Sequence, residues 1–401
     1  MILLILFYDC FLEKNYTNWV VSMLSMAFDQ LTEKSLLVTK EPLAGADLKT
    51  IFRLLKQNKF HVSIPYFPRL IYSLFLSSVL SPFRYKDNRF MKKMADQIKI
   101  ENDPVFLLGH WRGGTTYLHN MLSKDDRFGF FSTFDAYVPG VCIRSESLLK
   151  GIVARSLPKK RPMDDVKMGA DLPQEEEYGL GGLSVYSYYH GWCFPQNMDL
   201  YDCFVCLDDV SSKVILDFKR KYLYLLKKAT IKNKGKRLLL KNPSNTARVK
   251  LLLELFPDAK FVHIHRNPFH QYLSMVRFMK KVIPLYCLQN PPPFELVEEH
   301  IFNMYERMYK KYLCERELIP KGNLVEVTYE NFVDDPLPEL ERIYRELGFS
   351  GYNSVEKRFH AYMLAQFEIH PRKYIISEDV RKKVVSHWKF AFDAFDYDPS
   401  D

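Results

Sequence analysis

The sequence predicts an α/β protein with a central parallel sheet flanked by helices in three layers, preceded by a helical region. Three observations predict it. Four short β-rich apolar runs, "PVFLLG" (104–109), "RLLLKN" (237–242), "KFVHIHR" (260–266) and "NLVEVTYE" (323–330), each lead through a polar turn into a helical pattern, the alternation of strands joined by crossover helices. The first run enters "LLGHWRGGTTYLHNML" (107–122), a strand end, a glycine turn and a helix start, which gives the domain a P-loop-like character. Residues 1 to about 100 read as helical and basic, with Pro65 and Pro68 as punctuation, and the strand pattern begins at Pro104. The division is therefore a helical region at 1–100, packed on the main domain or at a membrane surface, and an α/β domain at 101–401.

At 401 residues, with 47% apolar and 26% charged side chains, the chain has the composition of a globular protein with a sizeable core. Its apolar start, "MILLILFYDCFL" (1–12), lacks a basic leader and is broken by Asp9, Glu13 and Lys14, so it reads as neither a signal peptide nor a membrane span. "FPRLIYSLFLSSVLSPF" (67–83) has the length of a short span, but Pro68, Arg69 and four serines interrupt it and Pro82 ends it. A helix packed on the domain is expected there, with a helix lying at a membrane surface as the alternative. The net charge of +9, without long Lys/Arg blocks, fits attraction to anions in general, of which nucleic acid is only one. The basic stretches Lys56–Lys99 and Arg372–Lys383 read as solvated helix faces. Seven cysteines, odd in number and without a framework, read as reduced thiols of a cytoplasmic protein. Cys203 and Cys206 form C-x-x-C with no second Cys/His pair at zinc spacing, so no metal is expected.

In the pattern G-x-x-x-x-G-K-[ST], Gly109 and Gly114 have the right spacing, but Thr115 stands where the lysine belongs. Successive N–H groups at Gly113, Gly114 and Thr115, opening onto a helix N-terminus, form a concave anion site, and Arg112 adds a planar guanidinium. Without that lysine, and without a Walker-B aspartate after an apolar strand, the site suits a group less charged than a triphosphate, such as a phosphosulfate. The second element is "FVHIHRNPFHQYLSMV" (261–276). A strand ends at Arg266, turns through Asn267 and Pro268, and starts a helix carrying Ser274, which returns to within roughly 80° of its starting azimuth. Both elements, together with Lys241–Ser244 and Tyr329–Glu330, follow strand ends directly, where parallel sheets bind ligands.

These residues carry a resemblance. "GHWRGGTTYL" (109–118) resembles the 5′-phosphosulfate loop of sulfotransferases that use 3′-phosphoadenosine 5′-phosphosulfate (PAPS), "RNPFHQYLS" (266–274) resembles their 3′-phosphate motif, and "VTYENFVDDP" (327–336) resembles the segment after their late strand. "LLLKNPSNTARVKLLLELFPDAKFVHIHRNP" (238–268) is similar to the bacterial-type branch, and the likeness covers about residues 100–390 in the expected order. It implies that Arg112, Gly113, Gly114, Thr115 and Thr116 hold the 5′-phosphosulfate, that Arg266 and Ser274 hold the 3′-phosphate, that Tyr329 lies near the adenine, and that no metal takes part. The sequence departs from the family where Gly113 replaces a usual serine and His270 an aspartate common in cytosolic relatives. The C-terminal basic-glycine loop is not evident, with Arg372 and Lys373 as its nearest substitute.

Sulfuryl transfer to a hydroxyl is an in-line displacement that needs a base for the hydroxyl proton and a cation where charge builds on the leaving oxygen. Lys241, at a strand end, is the expected cation, with Arg112 beside it. For the base, "DLPQEEEYGLGG" (171–182) offers Glu175 first and Glu177 behind it. Asp171 suits a helix cap and Glu175–Glu177 a first turn, and because helix neighbours lie about 100° apart, the three carboxylates cannot all face one substrate. His190 in "YSYYHGW" and His119 are rivals, since imidazole is the commonest general base, although His119 fits a packed helix face better. His110 and His265 flank the two phosphate motifs and suit ligand contact or backbone satisfaction equally. The aromatic run 186–195, with 128–134 and 390–397, lines either the core or an apolar pocket for an acceptor such as a sterol, lipid or phenol. Two other classes stay open: a P-loop nucleotide kinase-like phosphotransferase, which needs Mg²⁺ and the missing lysine, and a non-catalytic membrane-surface binding protein, which has no use for ordered strand-end motifs. No nucleic-acid partner is expected, and neither the acceptor's identity nor the oligomeric state is legible.

Overall fold

A computed structural model describes residues 42–161, 166–365 and 374–400. The expectations for residues 1–12 and for Arg372 and Lys373 lie outside the described residues. Strands β1 (Val105–Leu108), β2 (Phe128–Phe130), β3 (Arg237–Lys241), β4 (Lys260–His265) and β5 (Leu324–Thr328) form one sheet in the order β2-β3-β1-β4-β5, every pair parallel. β1 is central, with Val105 opposite Leu239 of β3 and Lys260 of β4. Four strands coincide with the four apolar runs. β2 was not foreseen, because three residues are too few to show a period.

Alternate residues of β1 enter different cores: Phe106 and Leu108 pack with one cluster, Val105 and Leu107 with the other. Both faces of the sheet are therefore covered, which is why its strands read as continuous apolar runs rather than alternating ones. Parallel pairing also brings the carboxyl ends of β1, β3, β4 and β5 to one edge.

The helices that matter for this edge are α1 (Leu48–Gln57), α2 (Phe67–Met94), α3 (Thr115–Leu122), α4 (Glu176–Leu183), α5 (Ser212–Lys232), α6 (Pro268–Tyr286), α7 (Phe294–Glu315), α8 (Tyr329–Asp334) and α9 (Glu378–Phe395). Their starts follow local chemistry. Asp47 Oδ1 accepts from Thr50 N (2.7 Å) at α1, and Asn267 Oδ1 from Phe269 N (2.9 Å) at α6, where Pro268 takes the first position. Pro82 does not end α2 as expected; the helix runs on to Met94. The buried Arg84 donates to Ser77 O (2.5 Å) and Ala46 O (2.6 Å), and Ser81 Oγ to Ser77 O (3.0 Å), so side-chain bonds within the helix and one to Ala46 brace the turn in which a proline removes one rung.

Helices α1 and α2 bury Ile51, Leu54 and Leu70 in the same cluster as Phe106. Asp47 N bonds Gly182 O at the end of α4 (3.1 Å), and Arg69 Nη1 bonds Cys287 O after α6 (3.0 Å). No helix among the described residues is long and apolar enough to cross a membrane.

Candidate active site

The chain leaves β1 through a turn that only glycine can make at two points. Gly109 (φ +141°) and Gly114 (φ +96°) hold a backbone that L side chains rarely adopt. A Cβ on Gly109 would sit 2.4 Å from Ile264 O, and one on Gly114 2.3 Å from Tyr329 Cδ2. The turn is pinned from neighbouring segments: Gly109 N donates to Thr246 Oγ1 (2.8 Å), and His110 N to Tyr309 OH of α7 (3.3 Å). Gly114 is the N-cap of α3, with Thr115 buried and Thr116 half-buried in its first turn. At Gly113 a Cβ would press to 3.0 Å from His110 O, a local reason for glycine where serine is usual.

Arg266, just past β4, reaches into this turn. Its Nη1 donates to Arg112 O (3.2 Å), its guanidinium lies 4.3 Å from the ring centroid of Tyr329, and its Nε is buried without a hydrogen-bond partner. Arg112, held at φ +70°, donates from Nε to Ser274 Oγ (3.3 Å) on α6. The glycine turn, Arg112, Arg266, Ser274 and Tyr329 thus form one cluster built from three strand ends. A buried guanidinium N–H without an acceptor is costly, so the cluster fits a multiply charged anion that supplies one.

A second cluster lies beside it. Lys241, the last residue of β3 and 1% exposed, pairs through Nζ with the Glu175 carboxylate and lies 3.3 Å from Thr116 Oγ1. Burial lowers the Lys241 pKa, Glu175 opposes that, and the charge of Arg161 adds to it. The other Glu175 oxygen accepts from Tyr189 OH, which itself accepts from Trp111 Nε1 (3.0 Å). A chain of polar contacts therefore runs from the glycine turn through Trp111, Tyr189, Glu175 and Lys241 back to Thr116. Sequence reasoning missed Tyr189 as a member and Arg161 as a charge acting on Lys241. The available sign was that "YSYYHGW" uses tyrosines, whose hydroxyls need partners when buried.

The remaining candidates take other places, with His110 inside the glycine turn itself. Helix α4 begins one residue later than expected, with Glu175 as its N-cap, while Asp171 pairs with Lys150 instead of capping. Glu176 Oε1 accepts from Tyr222 OH (2.9 Å) and Asn245 Nδ2 (2.9 Å), and burial raises its pKa to about 7. Glu177 borders a cavity, yet both of its oxygens are taken, by Arg248 (3.0 Å), Asn242 Nδ2 (2.6 Å) and Tyr188 N (3.3 Å), so a role behind Glu175 does not suit it. His190 Nε2 meets Ser184 O (3.0 Å), and burial lowers its pKa to about 4. His119 is buried on α3 with its pKa lowered to about 3, burial first and Lys241 second. His110 Nδ1 meets Trp111 O (3.0 Å), and His265 stacks on Phe395 of α9 (4.7 Å) rather than facing the cluster.

The cavity beside Glu177 has room for about one water, roughly 20 Å³, and Tyr137, Tyr178, Tyr189, His190, Tyr286 and Leu43 wall it. The described residues hold one group with metal-ligand proximity, Asp199, Asp202 and His300, and none of them belongs to either cluster. Cys203 and Cys206 share a helix, and burial raises both thiol pKa values, that of Cys206 to about 11.

Residues 104–353, more than half of the chain, match the family model described as "Sulfotransferase family". Two curated relatives, from Mycobacterium bovis and Mycobacterium tuberculosis, both named omega-hydroxy-beta-dihydromenaquinone-9 sulfotransferase Stf3, are 29% identical over 355 residues, covering 88% of this chain and 90% of theirs. Among solved structures, sulfotransferase STF1 from Mycobacterium tuberculosis aligns with a TM-score of 0.60 at 16% identity, covering 94% of this chain and 97% of that one. Sulfotransferase STF9 from Mycobacterium avium gives 0.60 at 16%, covering 88% and 97%. At that identity the structures establish the fold: mostly helical, around a five-stranded parallel sheet.

Proposed function

The chain belongs to the sulfotransferase family, and from that premise we propose that it moves the sulfuryl group of PAPS to the hydroxyl of a hydrophobic, lipid-like alcohol. PAPS supplies an activated sulfuryl group on a bisphosphate leaving group. Arg266 and Ser274 hold the 3′-phosphate, Tyr329 lies beside the adenine, and the turn Gly113–Thr116 with Arg112 holds the phosphosulfate. The acceptor oxygen attacks sulfur as the bond from sulfur to the 5′-phosphate oxygen breaks, Glu175 takes the hydroxyl proton, and Lys241 donates a hydrogen bond to the departing oxygen.

The observation that carries this reading is the buried Lys241–Glu175 pair set against Thr116 of the glycine turn. The pair is self-satisfied without substrate. An anionic donor competes for Lys241 and frees Glu175 for the acceptor's proton, so that donor binding prepares the base.

Two features support a lipid-like acceptor. The mycobacterial relatives are named for an omega-hydroxylated menaquinone derivative, and tyrosines wall the cavity that shares Tyr189 with the Glu175 cluster. At its present size that cavity must open to admit such a molecule. The test is to incubate the purified enzyme with ³⁵S-labelled PAPS and a panel of hydroxylated quinones, sterols, phenols and sugars, then identify the labelled products by mass spectrometry. Label in the lipid alcohols supports the proposal; label in sugars alone overturns it.

A further inference from the structure

Every exposed phenylalanine among the described residues falls between 52 and 75: Phe52, Phe60, Phe67 and Phe75. Ile64 and Ile71 lie among them, 73% and 58% exposed. On α2, Phe67, Ile71 and Phe75 follow at four-residue steps and share roughly 80° of the helix circumference. The same side continues with the exposed Tyr85, Lys86, Arg89, Lys92 and Lys93. Helix α2 thus presents an apolar half and then a basic half along one outward stripe.

The exposed charges carried by this stretch of chain are all positive. From Leu48 to Met94 the sole carboxylate is Asp87, which is fully buried and accepts from Ile143 N (2.9 Å), Arg144 N (2.8 Å) and Lys228 Nζ (3.4 Å). Lys49, Arg53, Lys56 and Lys59 are exposed beside the apolar patch, on and just after α1. The inward side of the same region packs against the segment after α6: Ser63 N bonds Leu288 O (3.0 Å), and Arg69 bonds Cys287 O, next to Tyr286 of the tyrosine cavity's wall.

We infer that this face docks on an anionic lipid bilayer, with Phe60, Ile64, Phe67, Ile71 and Phe75 among the headgroups and the flanking lysines and arginines against lipid phosphates. An apolar stripe rimmed by cations is the pattern of a helix lying in the interface plane, and cations at the surface add attraction to anionic lipid. A second copy of the chain is disfavoured as occupant, because the same stretch in it carries the same positive charge. The purpose of docking, access of a membrane-resident acceptor to the tyrosine cavity, rests on the function proposed above; the docking itself does not.

The experiment uses the full chain and sedimentation with vesicles of phosphatidylcholine alone or mixed with phosphatidylglycerol, with calorimetric binding of 3′,5′-bisphosphoadenosine measured in parallel. Wild type is expected to sediment with the anionic vesicles and to be released as salt is raised. The double changes Ile71→Ser with Phe75→Ser and Lys86→Glu with Arg89→Glu are each expected to weaken partitioning at least about tenfold, with circular dichroism and bisphosphate affinity unchanged. Wild type that ignores both vesicle types overturns the inference, as happens if the chain's own residues 1–41 cover the face. Unaltered partitioning of both double variants also overturns it, and so does an Ile71→Ser, Phe75→Ser change that splits a dimer without any vesicle binding. Loss of bisphosphate affinity in wild type would strike the proposed function and leave the docking result intact.

Discussion

Two buried ion pairs stand two residues apart at the start of α4, and they differ in kind. Glu177 and Arg248 are both wholly buried, and each Glu177 oxygen has two donors, drawn from Arg248, Asn242 and the Tyr188 N–H. Glu175 keeps 11% of its side chain exposed, and its partners are Tyr189 and a lysine that also touches the glycine turn. Hydrogen-bond saturation, more than burial, separates a carboxylate that holds the fold from one available to chemistry.

Matched substitutions break this contrast most sharply. Glu175→Gln is expected to lower kcat about 10²–10⁴-fold, with a smaller loss of stability than at Glu177, because Lys241, whose pKa burial already lowers, can shed its proton when its partner is lost. Glu177→Gln is expected to leave kcat of the folded enzyme within a few-fold while costing about 3–5 kcal/mol of stability, because it uncouples a buried arginine. Steady-state kinetics with equilibrium unfolding checks both, and a reversed outcome removes the distinction. Lys241→Met tests the other half of the proposed catalytic pair: kcat is expected to fall about 10²–10³-fold, with bisphosphoadenosine still bound by calorimetry. Gly114→Ala sharpens the role of the turn, since the new methyl meets Tyr329 and strains a positive φ; thermal unfolding is expected to show a loss of about 1–3 kcal/mol.

Glu176, lying between the two pairs, gives the most specific effect. Its folded-state pKa of about 7 is above the ordinary 4.5 because burial disfavours its charge. The folded protein therefore holds that proton more tightly than the unfolded chain. The resulting stability is complete below about pH 4.5 and lost as pH rises to about 7. Urea midpoints across that window should fall with pH in wild type more than in Glu176→Gln; identical slopes would deny the shift.

The parts legible in the sequence were those set by near neighbours. The strands β1, β3, β4 and β5 announced themselves as continuous apolar runs, and Arg266 and Ser274 sit on one strand-turn-helix unit whose geometry follows from spacing. Lys241 was legible as a strand-end cation. The assignment of Glu175, Glu176 and Glu177 was not, because their partners come from far along the chain: Lys241 is 66 residues from Glu175, and Arg248 is 71 from Glu177. Helical spacing required the three to diverge, as they do, but could not say toward what. Pro82 misled in part for the same reason, since one of the bonds bracing α2 around it runs from Arg84 to Ala46, 38 residues away.

Isothermal titration of 3′,5′-bisphosphoadenosine into wild type, Arg266→Ala and Glu175→Gln tests most directly whether the glycine turn and Arg266 grip one nucleotide. Convergence of the two segments predicts tight binding to wild type and to Glu175→Gln, and a loss of about 100-fold in Arg266→Ala. Equal affinity in wild type and Arg266→Ala would contradict it.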